Sequence, residues 1–274
     1  MPAEPARRRA AVLGHPIAHS LSPVLHLAAY GELGLDWTYE RVDVTEEALP
    51  AFVAGLGPEW AGLSLTMPLK HAVLPLLDSY DDVVAATGAA NTVLLGEGGR
   101  RGANTDVEGV VAVLDELAAG RGDAVVLGGG ATARSTVAAL ARRGTARVTA
   151  YARRPGAADD LRATAEAVGV ALEVRPWDQA GSGLNAGVVV STVPRGVADA
   201  LSGAVPARAG TLLDVVYDPW PTPLAGAWAA AGGAVGSGLD LLLHQAVAQV
   251  RLMTGRTPTV AVLRAALEAA AAAR

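Results

Sequence analysis

The hydrophobic pattern along the chain alternates between strand-like and helix-like stretches. Short apolar runs at 10–13 and 61–65, and the alternation over 37–44, predict strands. Residues 22–34 predict a helix with Ser22 as N-cap and Pro23 in the first turn, and 46–55 predict another. Pro68 closes the strand at 61–65, and a further strand over 92–95 leads to a turn at Gly98-Gly99. Elements alternating in this way predict an α/β unit with a mostly parallel sheet.

A second series starts after Asp106. It reads as an amphipathic helix over 107–119, a buried strand over 123–127, a turn at Gly128-Gly129-Gly130 and a helix over 132–143. A strand over 147–152, a helix over 159–168 and strands over 187–191 and 210–215 continue it. Two last helices, 239–253 and 258–272, need another partner and are expected to return to the first unit. The fold class is therefore α/β with two domains. One is discontinuous, 1–106 plus 237–274, and encloses a Rossmann-like doubly wound domain over 107–236.

Composition narrows the chemistry. The chain has 274 residues, 51% of them hydrophobic and 18% charged, enough to bury a large core. Cysteine is absent, which excludes disulfides, thiolate metal sites and thiol nucleophiles. A net charge of −5 gives no electrostatic reason to expect nucleic acid. Arg7-Arg8-Arg9 precedes an apolar run too short for a signal peptide, and the Ala-rich end is interrupted by Arg264 and Glu268, so no membrane segment is expected and the location expected is cytoplasmic. His15 and His19 are four apart, but Pro16 spoils a helical metal face and no metal is expected. The five tryptophans are scattered and read as packing or surface residues.

Gly128-x-Gly130-x-x-Ala133 lies between a predicted strand and a predicted helix, the context a dinucleotide-binding turn requires. The first glycine makes the turn, the second admits the pyrophosphate, and the small third residue lets helix and strand pack. The next strand ends in Ala152-Arg153-Arg154, without the acid that would hold the ribose hydroxyls of NAD. Two guanidiniums suit a 2′-phosphate, so the cofactor expected is NADP(H).

Four further segments are dense in small polar residues: Ser20-Leu21-Ser22, Ser64 to Lys70, Asn91-Thr92 and Asn104-Thr105-Asp106. Each falls at a predicted strand end or helix start, where open α/β sheets bind ligands. Hydroxyls, amides, one lysine and one aspartate suit a small polyhydroxylated molecule.

Taken in order, these motifs resemble those of shikimate dehydrogenases. The resemblance rests on Gly14-His15-Pro16-Ile17-Ala18-His19-Ser20-Leu21-Ser22-Pro23, on Leu65-Thr66-Met67-Pro68-Leu69-Lys70, on Gly88-Ala89-Ala90-Asn91-Thr92 and on Asn104-Thr105-Asp106. The glycine turn, Asp214-Val215-Val216-Tyr217-Asp218-Pro219 and the helix carrying Gln245-Ala246 follow, so the likeness spans almost the whole chain. It implies reduction of 3-dehydroshikimate with NADPH, a substrate-binding first domain and an NADP-binding second. It implies that Ser20 and Ser22 hold the substrate carboxylate, that Thr66, Asn91, Asp106 and Gln245 bind ring hydroxyls with Tyr217 nearby, and that Lys70 and Asp106 are catalytic. Cofactor contacts are implied for Gly128, Gly129, Gly130, Ala131, Arg153, Arg154 and Gly238, and a monomer or homodimer is implied.

Ser64 departs from the family, which often has Asn there, so a shorter or water-mediated substrate contact is expected at that point. An NAD-dependent quinate/shikimate dehydrogenase shares most of these motifs, but Arg153 and Arg154 argue against NAD. A non-catalytic NADPH-binding regulator on the same fold would lack Lys70 or Asp106, and both are present.

Overall fold

The computed structural model describes residues 7–153 and 155–273. The chain forms two compact units, one running to Thr105 and resuming at Leu242, the other spanning Asp106–Leu241.

The first unit begins with β1 (Arg8–Gly14), α1 (Ser22–Glu32), β2 (Trp37–Asp43), α2 (Leu49–Ala54), β3 (Trp60–Leu65) and α3 (Leu69–Ala72). It continues with β4 (Ser79–Tyr80), α4 (Asp82–Thr87), β5 (Thr92–Gly96) and β6 (Gly99–Ala103). These strands form one sheet in the order β2-β1-β3-β5-β6-β4. β1 runs parallel to both β2 and β3, whereas β5 is antiparallel to β3 and to β6. The sheet is thus mixed rather than simply alternating, because the Gly98-Gly99 turn folds β6 straight back on β5. Gly99 takes φ +81°, a backbone conformation that favours glycine. Asp78 pins the turn by accepting from Arg100 N–H and from its guanidinium.

The expected capping role of Ser22 is not what the structure shows. Leu21 occupies the N-cap with no side-chain hydrogen bond, and Ser22 is already the first helical residue. Ser20 Oγ instead accepts from Ser22 N–H at 3.3 Å, so the upstream serine serves one of the helix's exposed donors. The core of this unit is built on Leu13, Leu49, Leu63, Leu65, Leu69 and Val93.

The second unit contains α5 (Asp106–Glu116), β7 (Ala124–Leu127), α6 (Ala131–Arg142), β8 (Arg147–Ala152), α7 (Pro155–Val168) and β9 (Ala171–Pro176). It continues with β10 (Val188–Ser191), β11 (Thr211–Asp214), α8 (Pro223–Ala230) and β12 (Ala234–Ser237). All six strands pair in parallel, in the order β12-β11-β10-β7-β8-β9. Counted from β7, that order is the doubly wound 3-2-1-4-5-6, with the reversal of winding between β7 and β10. The fully buried Trp228 donates from Nε1 to Gly210 O, tying α8 to the strand below.

Two helices complete the chain, α9 (Gly238–Thr254) and α10 (Val260–Ala272), and α10 packs on α1. Glu32 accepts from Thr259 N–H at the start of α10, which fixes that contact at one end.

Candidate functional site

In the first unit, strand register gathers the polar segments. Leu13 pairs with Leu65, Ser64 with Thr92, and Thr92 with Ala103. β1, β3 and β6 therefore end, and β5 begins, along one edge of the sheet. The residues that leave this edge are 15–22, 66–70, 91 and 104–105. They include Ser20, Ser22, Thr66, Lys70 and Asn91.

The segment after β1 is held by backbone and side chain together. His15 N–H donates to Met67 O at 3.1 Å, Ser20 N–H to Ile17 O at 3.0 Å, and Arg41 Nε to Ser20 O at 2.7 Å. His15 also meets Asp43 at 2.6 Å, and that hydrogen bond holds the Asp43 carboxyl below its ordinary range. Ser22 is buried, while Ser20 is half-buried. Lys70 is half-buried in α3, where its carbonyl accepts from Ala90 N–H at 2.8 Å.

Asn91 is the hub of this edge. It is 1% exposed. Its Oδ1 accepts from Thr105 N–H and from Thr92 Oγ1, each at 2.8 Å. Its Nδ2 donates to Thr105 Oγ1 at 2.9 Å and to Gln245 Oε1 at 3.1 Å. The structure thus brings Asn91 and Gln245 into direct contact across 154 positions of sequence. Asp106 follows Thr105 in the chain and is the buried first residue of α5.

Ser64 does not offer the substrate contact expected from its position. It is 3% exposed, accepts from Tyr39 OH at 2.7 Å and donates to Gln249 Oε1 at 2.9 Å. Its hydroxyl is consumed inside the protein. Gln249 went unnoticed in the sequence because a glutamine in an apolar helix carries no signal of what it faces.

In the second unit the glycine turn follows β7 at the reversal of winding. Gly128 has φ +121°, and a side chain there would run into Thr192 Oγ1. Gly129 lies against Ala157 and Ala152. Gly130 is the N-cap of α6 with ordinary dihedrals and open space where a Cβ would stand. The first turn of α6 thus exposes backbone N–H groups, with Ala131 leading and Ala133 buried below. Thr192 braces the turn by donating from both N and Oγ1 to Leu127 O. This geometry fits a pyrophosphate. Arg153 is exposed at the end of β8, with no acid before it; Arg154 lies outside the described residues.

Tyr217 and Gly238 follow β11 and β12 of the same sheet. A side chain on Gly238 would strike Val215 O and crowd Tyr217, and Gly238 N–H donates to Val216 O, so the glycine backs the tyrosine loop. Asp214 anchors that loop by accepting from Thr222 Oγ1 at 2.8 Å and Val216 N–H at 3.3 Å, while burial raises its carboxyl above the ordinary range. Among the described residues, no cluster of His, Asp and Glu could hold a metal, and no helix is long and apolar enough to cross a membrane.

Comparison with known proteins follows these segments. Residues 12–93 match the shikimate dehydrogenase substrate-binding domain, and residues 238–268 match the shikimate 5′-dehydrogenase C-terminal domain. A shikimate dehydrogenase (NADP(+)) of Methylobacterium radiotolerans is 39% identical, over 93% of this chain and 94% of that protein. The shikimate dehydrogenase structure of Mycobacterium tuberculosis superposes with TM-score 0.88 at 46% identity, covering 96% of this chain and 99% of that one. The shikimate 5-dehydrogenase of Thermus thermophilus, solved in complex with NADP(H) and shikimate, superposes with TM-score 0.82 at 33% identity, covering 96% and 99%.

Proposed function

The chain belongs to the shikimate dehydrogenase family, and on that premise we propose that it catalyses the reversible NADPH-dependent reduction of 3-dehydroshikimate to shikimate. The observation that carries this reading is a 39% identity to an NADP(+)-dependent shikimate dehydrogenase over 93% of this chain. The reaction belongs to the shikimate route to chorismate and the aromatic amino acids. The same reading puts the enzyme in the cytoplasm as a monomer or homodimer.

NADPH, when bound, supplies the hydride that the ketone carbon accepts. The backbone of Gly128 to Ala131 and the start of α6 are suited to hold its pyrophosphate, and Arg153 with Arg154 its 2′-phosphate. The rest falls to the chain's own side chains. We assign the proton chemistry to Lys70 and Asp106. A ketone whose carbon receives a hydride becomes an alkoxide, and an ammonium can both stabilise and protonate its oxygen. Thr66, Asn91 and Gln245 offer hydroxyl and amide groups for ring hydroxyls, with Tyr217 close to the substrate. Ser20 and Ser22 hold the carboxylate at the start of α1, where exposed N–H groups favour an anion.

The deciding assay pairs shikimate or quinate with NADP or NAD. Turnover is expected with shikimate and NADP, and faster turnover of quinate with NAD would overturn the proposal.

Replacing Arg153 and Arg154 together by Ala should raise KM for NADP by about 10- to 100-fold, the weight of one or two charge-assisted hydrogen bonds. KM for NAD should stay nearly unchanged, because only NADP carries the extra phosphate. Equal losses for both cofactors would place the arginines elsewhere.

A second test uses the serines. Ser22 does not cap α1 through its side chain, so Ser22→Ala carries no capping penalty. Ser20→Ala/Ser22→Ala should cost about 1–3 kcal/mol of transition-state binding. It should also erase most of the preference for shikimate over an analogue with a neutral group in place of the carboxylate. Full discrimination by a folded double variant would show that the carboxylate is held by other groups.

A further inference from the structure

Behind the polar edge of the first unit a buried hydrogen-bond chain leads from Tyr39 to Asn91 and Gln245. Tyr39 OH donates to Ser64 Oγ at 2.7 Å, and Ser64 donates to Gln249 Oε1 at 2.9 Å. Gln249 Nε2 donates to Asn91 O and to Thr92 Oγ1, both at 3.1 Å. Thr92 passes its hydrogen to Asn91 Oδ1, and Asn91 Nδ2 donates to Gln245 Oε1. Tyr39, Ser64, Gln249, Thr92, Asn91 and Gln245 are all at least nine-tenths buried.

The direction of this chain is fixed by backbone groups that cannot reverse roles. Thr105 N–H can only donate, so the atom of Asn91 facing it must be the oxygen. Asn91 O can only accept, so the atom of Gln249 facing it must be the nitrogen. Leu242 O can only accept, so Gln245 turns its nitrogen there and its oxygen to Asn91. The amide of Gln245 is thereby held in one orientation, with one N–H remaining to donate beyond Leu242 O. Gln249 sits one helical turn further along α9 and ties that helix to β3 through Ser64 and to β5 through Thr92.

We propose that Gln249 is a positioning residue that acts through Asn91 and Gln245 to present the Gln245 amide to a ring hydroxyl of the substrate. The inference rests on the functional reading above, which gives Gln245 to the substrate. Gln249 touches no substrate itself. It satisfies Ser64 and Thr92, holds the Thr92 hydroxyl on Asn91 Oδ1, and fixes the rotation of α9 at the turn beside Gln245. The far end of the chain is clamped too: the Tyr39 ring stacks on His26 at 3.9 Å between centroids. Burial drives His26 down to about 4 and Tyr39 well above its ordinary value, so both stay neutral at working pH.

The test is a double-mutant cycle on the intact enzyme with shikimate and NADP. Gln249→Leu should raise KM for shikimate on the order of tenfold, with kcat and KM for NADP changing less than about threefold. In a Gln245→Ala background, where the amide to be positioned is gone, Gln249→Leu should add little further. If Gln249→Leu does not fold, Thr92→Val removes the middle hydroxyl at nearly constant shape and goes through the same cycle. A lower Tm with unchanged shikimate KM makes Gln249 merely structural and overturns the proposal, as do effects that multiply in the double variant. If Gln245→Ala itself leaves shikimate KM unchanged, the substrate reading of α9 fails and takes the proposal with it. If Gln245→Ala raises KM and Gln249→Leu does not, only the positioning role fails.

Discussion

Lys70→Ala should lower kcat by a factor on the order of 10²–10⁴ while changing KM for shikimate much less. Reduction leaves negative charge on the former ketone oxygen, and an ammonium group is the strongest nearby means of neutralising it that this chain's motifs offer. A group needed most when charge develops lowers the barrier more than it strengthens ground-state binding. Lys70 is half-buried in a four-residue helix, and its backbone carbonyl accepts from Ala90 N–H, a bond that alanine keeps. A Tm measured beside the kinetics separates a chemical loss from a structural one. Steady-state kinetics in the direction of shikimate oxidation, with both substrates varied, separates the cases. A variant with near-normal kcat and a raised KM would make Lys70 a binding residue, and the proton would have to travel by another group.

Much of the architecture was legible because local pattern and tertiary role agree. β8 carries its expected limits, and the helix expected over 132–143 after the glycine turn spans Ala131–Arg142. Gly128 could be read from sequence as well, since a dinucleotide turn needs its conformational freedom and the structure finds φ +121°. The strands that escaped notice lie at or next to a sheet edge. β9 alternates Ala, Glu and Arg with Leu and Val, as an outermost strand facing water can. β6 reads Gly-Arg-Arg-Gly-Ala, a composition poor in strand formers, and exists because a two-glycine turn lays it on β5. β12 is short and made of small residues on the opposite edge of its sheet.

The site divided along the same line. Asn91 is legible in the sequence as part of a small polar cluster at a strand end, and Gln245 through the family resemblance of its helix. Residues that hold them in place are not. Ser64 looked like a weakened substrate contact, but it is joined to Tyr39 and to Gln249, which is 185 positions away in sequence. Only the pairing of β3 with β5, and the packing of α9 against both, gives those side chains a meaning.

Asn91→Ala should be among the most destabilising single changes outside the apolar core. The side chain is 1% exposed and serves both as acceptor and as donor. Its loss strands Thr105 N–H, the Thr92 hydroxyl and Gln245 Oε1 in a buried place, and each orphaned group costs about 1–3 kcal/mol. Such costs are not additive, and a total near 3 kcal/mol is the reasonable scale, equal to a fall in Tm of roughly 6–12 °C. Asn91→Asp gives a sharper test, because it keeps the shape and the acceptor oxygen. Protonated, the carboxyl can still donate toward Gln245 Oε1. Ionised, it sets a buried charge against that oxygen. Burial raises the pKa of such a carboxyl in the folded state above its unfolded value, so the folded form binds the proton more tightly. By linkage, stability is then greatest at low pH and falls as pH rises through the raised value. The Tm deficit of Asn91→Asp relative to wild type should therefore widen between pH 5 and pH 8, whereas that of Asn91→Ala should stay flat. A deficit for Asn91→Asp that is small and independent of pH would mean that water reaches Asn91, and that the hub is not the closed network described above.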